Sequence, residues 1–383
     1  MAPERGSVIC HVCGGVLDLV GAYARLHRVT SDCRAWPAGG RLGVCRDCRT
    51  AQKAVDDAWR DEVARIYAGY DIYHQSGGAE QPAFGASTGV PEARSAVLVR
   101  SLLAAVRFAD TGRLLDIGCG NGALLRAFAA RRPQWRLSGV EMGDRYRAAV
   151  ESIPGVEEFH PGPLDTLAAR PFDAISMVHV LEHIENPAAF LRGLRPRLAP
   201  GGMLIIEVPD CERNPFDLTI ADHCSHLSRQ TLERILVQAG FGVVAVSTDW
   251  LPREISVICS PDASPSADAS GAGEAPARTI RAHVGRLAAG AERARAMAAS
   301  GVRFGIFGTS IGGTWLFAES GGHAAFFVDE DAARAHRRYL DRDVWLPREV
   351  PAGTTVLLPL AEPARGAVMR RLAGLRLELV AIA

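Results

Sequence analysis

Lysine is almost missing from this chain: Lys53 is the single lysine among 43 basic side chains, in 383 residues. Arginine takes its place and alanine is abundant, a bias that fits a GC-rich genome better than a functional demand. Net charge is missing too, because 43 acidic side chains balance the basic ones. A neutral chain lacks the basic footprint of a nucleic-acid or anionic-membrane binder, so neither is expected as a partner. No apolar run approaches the length of a membrane span. The first residues, MAPERGSV, hold no apolar core of a signal peptide, and the expected location is cytoplasmic. With 48% hydrophobic and 22% charged residues, the composition is that of a soluble globular protein with room for two or three domains.

What is present begins with cysteine. Cys10-His-Val-Cys13 and Cys45-Arg-Asp-Cys48 are two C-x-x-C turns separated by roughly thirty residues. In a reducing compartment such pairs point to metal rather than disulfides, and four thiolates suit a closed tetrahedral Zn²⁺ site that stabilises and does not catalyse. Cys33, His11 and His27 lie in or beside the intervening loop as alternative ligands. A polar-faced helix is expected over 51–68. The segment 69–84 then gathers Tyr70, Tyr73, His74, Gln75 and Ser76 beside Gly77-Gly78, a loop that either carries function or packs against its neighbours.

The chain is organised around LLDIGCGNGALL, at 114–125. An apolar run that stops in Gly118, Gly120 and Gly122 and resumes with helical spacing describes a strand, a tight turn and a helix, the turn leaving room for a ligand close to the backbone. The next strand pattern ends in Glu141, 25 residues after Asp116, where a carboxylate accepts hydrogen bonds from ribose hydroxyls. Together these make a nucleoside site. By itself the turn also satisfies a dinucleotide pattern through Gly118, Gly120 and Ala123. Further strand patterns follow at 171–178 and 200–209, the first delivering His179, Glu182 and His183 at its carboxyl end, then a helix at 229–239 and two closing strands within 241–259. Alternating strands and helices with a final hairpin indicate a doubly wound α/β sheet with an edge addition.

Residues 260–277 are small, polar and proline-bearing, and read as a linker. A long helix over 278–299, a strand, the turn GTSIGG at 308–313 and two more strands suggest a second, smaller Rossmann-like unit. Gly308-Thr309-Ser310-Ile311-Gly312 also matches the nucleophile elbow of α/β-hydrolases. The last histidine, His336, follows Ser310 by only 26 residues, which leaves no room for an acid and a histidine on later strands. The turn reads instead as an anion contact or a packing turn.

The ordered set DIGCGNG, Glu141, PFDAISMVHVLEHI, RLAPGGMLIIEVP and a closing AGF strand pair resembles the class I S-adenosyl-L-methionine-dependent methyltransferases. That resemblance implies that Gly118, Gly120 and Gly122 approach the methionine part of the cofactor with Asp116 nearby, that Glu141 takes the ribose, and that Leu164 or Asp165 meets the adenine.

Over the whole chain, the order of four-cysteine module, methyltransferase core and Rossmann-like C-terminal unit resembles the three-domain deoxysugar C-methyltransferases. The implied boundaries are 1–68, 69–259, a linker at 260–277, and 278–383. Those enzymes methylate a carbon of a nucleotide-linked 4-keto-6-deoxysugar and carry a Y-H-E-H-F-S-Y signature after the fifth core strand. Here that stretch is Ile220-Ala221-Asp222-His223-Cys224-Ser225-His226. The resemblance makes His223 the base, with Asp222 in the place of a glutamate and Ile220 and His226 in the places of tyrosines. His226 shares a face with His223 if the segment turns helically, His179 lies near the transferred methyl, and Tyr73 closes the pocket. The expected substrate is a small molecule, a nucleotide-sugar or related keto metabolite. An O- or N-methyltransferase, and a zinc-module binding protein with a vestigial core, are the alternatives.

Overall fold

A computed structural model describes residues 7–71, 80, 82–84, 91–168, 170–264 and 274–382. Tyr73, His74, Gln75 and Ser76 lie outside the described residues. Two compact units emerge. One comprises Glu80–Asp210 with Leu227–Gly273, the other Met1–Ala79 with Cys211–His226 and Glu274–Ala383.

The Glu80–Asp210 unit is built on a seven-stranded sheet: β1 (Arg113–Ile117), β2 (Arg136–Glu141), β3 (Val156–Pro161), β4 (Phe172–Val178), β5 (Leu198–Pro209), β6 (Gly242–Ser247) and β7 (Glu254–Ser260). Their spatial order is β3-β2-β1-β4-β5-β7-β6. The first five strands are parallel, and β7 runs antiparallel to both β5 and β6. This is the doubly wound α/β arrangement with an edge addition that the sequence pattern implies. Strands β1 and β4 are almost continuously buried, as expected of parallel strands covered on both faces. One core joins Leu98, Leu102, Leu125 and Phe128 from the covering helices to Leu114, Ala174 and Ile258 of the sheet.

Order reverses between β1 and β4, so the ligand crevice of such a sheet opens at their carboxyl ends. After β1 the chain turns through Gly118 (φ +70°) and Gly122 (φ +81°) into the helix Ala123–Arg131. Both are in the left-handed region that side chains avoid, and a Cβ at either would sit 2.5 Å from a neighbour, Val180 Cγ2 or Ile153 Cδ1.

The other unit is assembled from three stretches of chain. A four-stranded sheet orders Leu17–Leu19, Leu42–Cys45, Ala51–Lys53 and Ser225–His226. A six-stranded sheet, whose first strand is Phe304–Phe307, carries the GTSIGG turn into the helix Ile311–Glu319. The helix Ala275–Ala299 buries Ile280, Val284, Leu287, Ala291 and Ala294, a stripe at alternating spacings of four and three. That stripe joins Tyr23, Leu26 and Leu42 to Trp315, Leu316 and Phe327 in one core, together with Phe216 and Leu218. The N-terminal and C-terminal segments, read from sequence as separate modules, therefore share a single apolar interior.

Three local readings differ from the sequence expectation. Ala51–Lys53 is a strand, and the helix starts only at Asp57, where Asp56 caps it by accepting from Trp59 N at 2.9 Å. Pro91, a residue that suits a helix start and predicts a helix over 93–106, lies instead in the strand Pro91–Ala93, and helix begins at Arg94. The range 69–259 is interrupted, because Cys211–His226 groups with the N- and C-terminal stretches. Backbone pairing explains it: Ser225 and His226 add antiparallel to Gln52 and Ala51, Ala221 N donates to Val29 O at 2.8 Å, and Lys53 N donates to Cys224 O at 2.9 Å.

Gly122→Ala tests the turn. The left-handed φ costs about 1–2 kcal/mol and the contact with Ile153 adds to it, so thermal unfolding should move down by several degrees. An unchanged melting temperature would contradict this backbone geometry.

Candidate functional site

At the end of β1, Asp116 is buried and accepts from Ser176 Oγ of β4 at 2.7 Å. Burial pushes its carboxyl up to about 7; the Ser176 hydrogen bond opposes this and the Glu141 charge adds to it. Glu141, at the end of β2, accepts from Gly120 N at 2.8 Å and from Met142 N at 2.9 Å. The glycine turn and the acidic strand end are thus in direct contact, as a nucleoside site requires. Met142, next to Glu141, is 74% exposed, an apolar side chain at the lip of the turn that the sequence reading passed over. Asp165 is exposed in the short 3-10 turn Leu164–Thr166 after β3, and the Leu164 carbonyl accepts from Arg197 at 3.1 Å.

His179 follows β4 with φ +54°, a left-handed conformation uncommon outside glycine and held here by its N–H donating to Glu207 O at 2.9 Å. Three carboxylates surround its ring. Nδ1 is 3.2 Å from Glu182, and Nε2 is 3.8 Å from Glu207 Oε1 and 4.0 Å from Glu254 Oε2. Burial works against the charged imidazole, but Glu254, Glu182 and Glu207 outweigh it and raise the ring to about 9. Arg94 joins the cluster at 2.7 Å from Glu254 and 3.7 Å from Glu207. Burial lifts Glu207 to about 7, with Arg94 opposing. Glu207 is a signal that sequence alone carries, an acidic residue at the carboxyl end of an apolar strand.

His223 and His226 are brought together in the Met1–Ala79 unit, though not by a helical turn, since Ser225–His226 is a strand. Asp217 joins them: its Oδ1 is 2.8 Å from His223 Nδ1 and its Oδ2 is 2.7 Å from His226 Nδ1. All three are buried. Asp222, expected to orient this cluster, accepts instead from Ser31 N at 2.9 Å and Ser31 Oγ at 2.5 Å. Asp217 was missed because it lies six residues before His223, outside the resembling heptad. The D-x₅-H-x₂-H spacing was its only trace. Lys53 is buried near the cluster, donating to Tyr23 Oη at 2.5 Å and Leu218 O at 2.6 Å, and burial pulls its ammonium well below the usual range.

The four cysteines converge. Cys10 Sγ is 3.6 Å from both Cys48 Sγ and Cys13 Sγ, and Cys13 Sγ is 3.5 Å from Cys45 Sγ. Zinc–sulfur bonds of about 2.3 Å give tetrahedral edges of about 3.8 Å, so the set fits such an ion. Val12 N and Cys13 N point at Cys10 Sγ, and Asp47 N and Cys48 N at Cys45 Sγ, which suits thiolates. Gln52 Nε2 also donates to Cys10 Sγ at 3.0 Å. His11 turns to Ser225 Oγ at 2.8 Å and His27 to Glu319 at 3.3 Å, so the alternative histidine ligands are engaged elsewhere. No helix among the described residues is long and apolar enough to cross a membrane.

Residues 92–246 match a family model described as "Methyltransferase domain". Among curated proteins, the chain is 33% identical over 111 residues to trans-aconitate 2-methyltransferase of Azoarcus sp. (strain BH72), covering 29% of this chain and 44% of that one. It is 25% identical over 154 residues to the ubiquinone biosynthesis O-methyltransferase of Psychrobacter arcticus, covering 34% and 58%. The chain thus spans about half the length of the curated relatives it matches. Of solved structures, an S-adenosylmethionine-dependent methyltransferase from Mesorhizobium loti aligns at 18% identity and TM-score 0.36, covering 42% of this chain and 95% of that one. Over residues 92–246 the chain is thus similar to a methyltransferase domain.

Two outcomes follow from this geometry. A carboxyl whose folded value is raised gives stability that is complete at low pH and lost as pH climbs through about 7, so Asp116→Asn should lose less stability than the parent chain between about pH 5 and pH 8. Denaturant titrations at both pH values check this, and parallel losses would refute the buried assignment. Stripping metal with a chelator should loosen the four-stranded sheet around Cys10, Cys13, Cys45 and Cys48, read as a fall in near-ultraviolet dichroism together with release of about one zinc per chain.

Proposed function

We propose that the whole chain is an S-adenosyl-L-methionine-dependent C-methyltransferase acting on a nucleotide-linked keto-deoxysugar or a related keto metabolite. The observation that carries the methyl-donor assignment is the contact between the Gly120 amide and the Glu141 carboxylate beside the reversal of strand order. In this reading Gly118, Gly120 and Gly122 admit the methionine part, Glu141 exchanges its amide partners for ribose hydroxyls, and Met142 lies against the adenine, with Asp165 or the Leu164 backbone at its amino group.

Methyl transfer is a displacement at a sulfonium; the bound cofactor supplies both the electrophile and the leaving group. The protein must align the acceptor, remove one proton and steady the oxygen of an enolate. His223 is the proposed base. His179 is the proposed donor to the oxygen, because the carboxylates around it favour the protonated ring. Tyr73 retains its proposed place at the acceptor, and Cys10, Cys13, Cys45 and Cys48 hold a structural zinc ion. Arg337 and Arg338, which line one cavity with Thr309 and Arg334, offer positive charge for a substrate phosphate. Cytoplasmic location stays part of the proposal.

A second reading is O- or N-methylation of a small natural product. It is favoured by Ile220 and His226 standing where the resembling enzymes have tyrosines, and by the O-methyltransferase named among the relatives.

Incubation with labelled cofactor and thymidine-diphosphate keto-sugars separates the two. Carbon-bound label supports the first reading, and label on oxygen or nitrogen supports the second. Glu141→Ala should weaken cofactor binding by at least tenfold in calorimetry, and unchanged affinity would remove Glu141 from the site. His223→Gln should cut turnover by about 100-fold or more while leaving cofactor affinity near that of the parent.

A further inference from the structure

One buried carboxylate serves two imidazoles in this protein. Asp217 sits in the 3-10 turn Pro215–Thr219, His223 in the loop after it, and His226 in the strand Ser225–His226. Each ring uses Nδ1, and each takes a different carboxylate oxygen, at 2.8 and 2.7 Å. With both oxygens tied, the carboxylate cannot rotate.

We infer that Asp217 is a positioning residue for methyl transfer: it fixes His223 in the tautomer that carries its proton on Nδ1, and His226 is the second anchor that holds Asp217 in place. The inference rests on His223 being the base.

An ionised carboxylate only accepts hydrogen bonds, so the nitrogen facing it must carry the proton. Burial raises the Asp217 carboxyl, but His226 and His223 outweigh it and hold it well below the usual range, which keeps it ionised. Both rings, when neutral, then present Nε2 as a lone pair. For His226 that lone pair is buried without a hydrogen-bond partner, so the ring meets Asp217 through Nδ1 alone. Burial pushes His226 down to about 4 against the pull of Asp217, with Lys53 adding to the fall, so it anchors Asp217 as a neutral donor. Other charged groups nearby are already committed: Lys53 to Tyr23 and Leu218, Arg28 to Glu62 at 2.6 Å, and Asp222 to Ser31. Asp217 meets the His223 ring directly, through Oδ1 at 2.8 Å.

His223 Nε2 takes the proton from the acceptor carbon, and the C–H electron pair moves into the enolate. That carbon then forms its bond to the methyl group as the sulfur–methyl bond breaks and the sulfur keeps the electron pair. The new imidazolium forms an ion pair with Asp217 and later gives its proton to solvent.

The test uses the full chain with zinc, labelled in histidine with ¹⁵N, and His223→Gln to assign the ring signals. The parent should show His223 with the proton on Nδ1. In Asp217→Asn, kcat should fall about 100- to 10,000-fold, as when an orienting carboxylate is replaced by an amide elsewhere. Cofactor affinity should stay within about twofold. The acid limb of kcat/KM should move to lower pH, because the anion that favours the imidazolium is gone. Asp217→Glu should recover part of both the rate and the tautomer.

A folded Asp217→Asn with kcat within twofold of the parent would overturn the proposal. So would a parent His223 ring carrying its proton on Nε2, a result that decides the matter even if the Asn variant fails to fold. Retained turnover in His223→Gln would instead defeat the base assignment, while the ring signals report on Asp217 separately.

Discussion

A carboxylate removed from water must be met by donors, and at Asp217 that requirement arranges much of its surroundings. Two imidazoles satisfy it, which places His223 and His226 within a ring-to-ring distance of 6.2 Å. To reach Asp217, His226 runs as a strand beside Ala51–Lys53, and this pairing sets Gln52 under the cysteine cluster, where it donates to Cys10 Sγ. His11, inside the first cysteine turn, meets Ser225 from the other side. The thiolate site and the histidine pair are thus parts of one hydrogen-bonded construction. The strand paired with Ala51–Lys53 is the one that carries His226.

The same rule yields the opposite result around His179. There a single imidazole faces Glu182, Glu207 and Glu254 and is driven toward its charged form. At His226 one carboxylate is opposed by full burial and by Lys53, and the ring is driven neutral. Both outcomes come from counting charges near a desolvated ring, and neither depends on the histidine itself. A chain with one lysine places it in the interior, 2% exposed, where its charge bears on His226.

Much of the architecture was legible because it is local. Strand, glycine turn and helix at 113–131, the acidic end of β2, and the alternation that gives a doubly wound sheet all rest on spacing within a few residues. The cysteine turns were legible for the same reason, since two C-x-x-C pairs carry their ligand geometry with them. The reading went wrong where a short segment had to choose between helix and strand. Ala51–Lys53 looked helical with its neighbours, but it is held as a strand by Leu42–Cys45 on one side and Ser225–His226 on the other. Local propensity is a weak prior against two rows of backbone hydrogen bonds.

By itself the sequence determined the glycine turn with its acidic neighbour, the grouping of four cysteines and the order of the elements, since each is a matter of residues close together in the chain. Only the tertiary structure decided which acid serves which histidine. Asp222 is adjacent to His223 yet bonds to Ser31, whereas Asp217, six residues away, holds both rings. It also decided that Cys211–His226 belongs with the chain's two ends rather than with the flanking sheet. Pairings across such distances depend on which buried groups find donors once the chain has packed, and spacing along the chain does not record that.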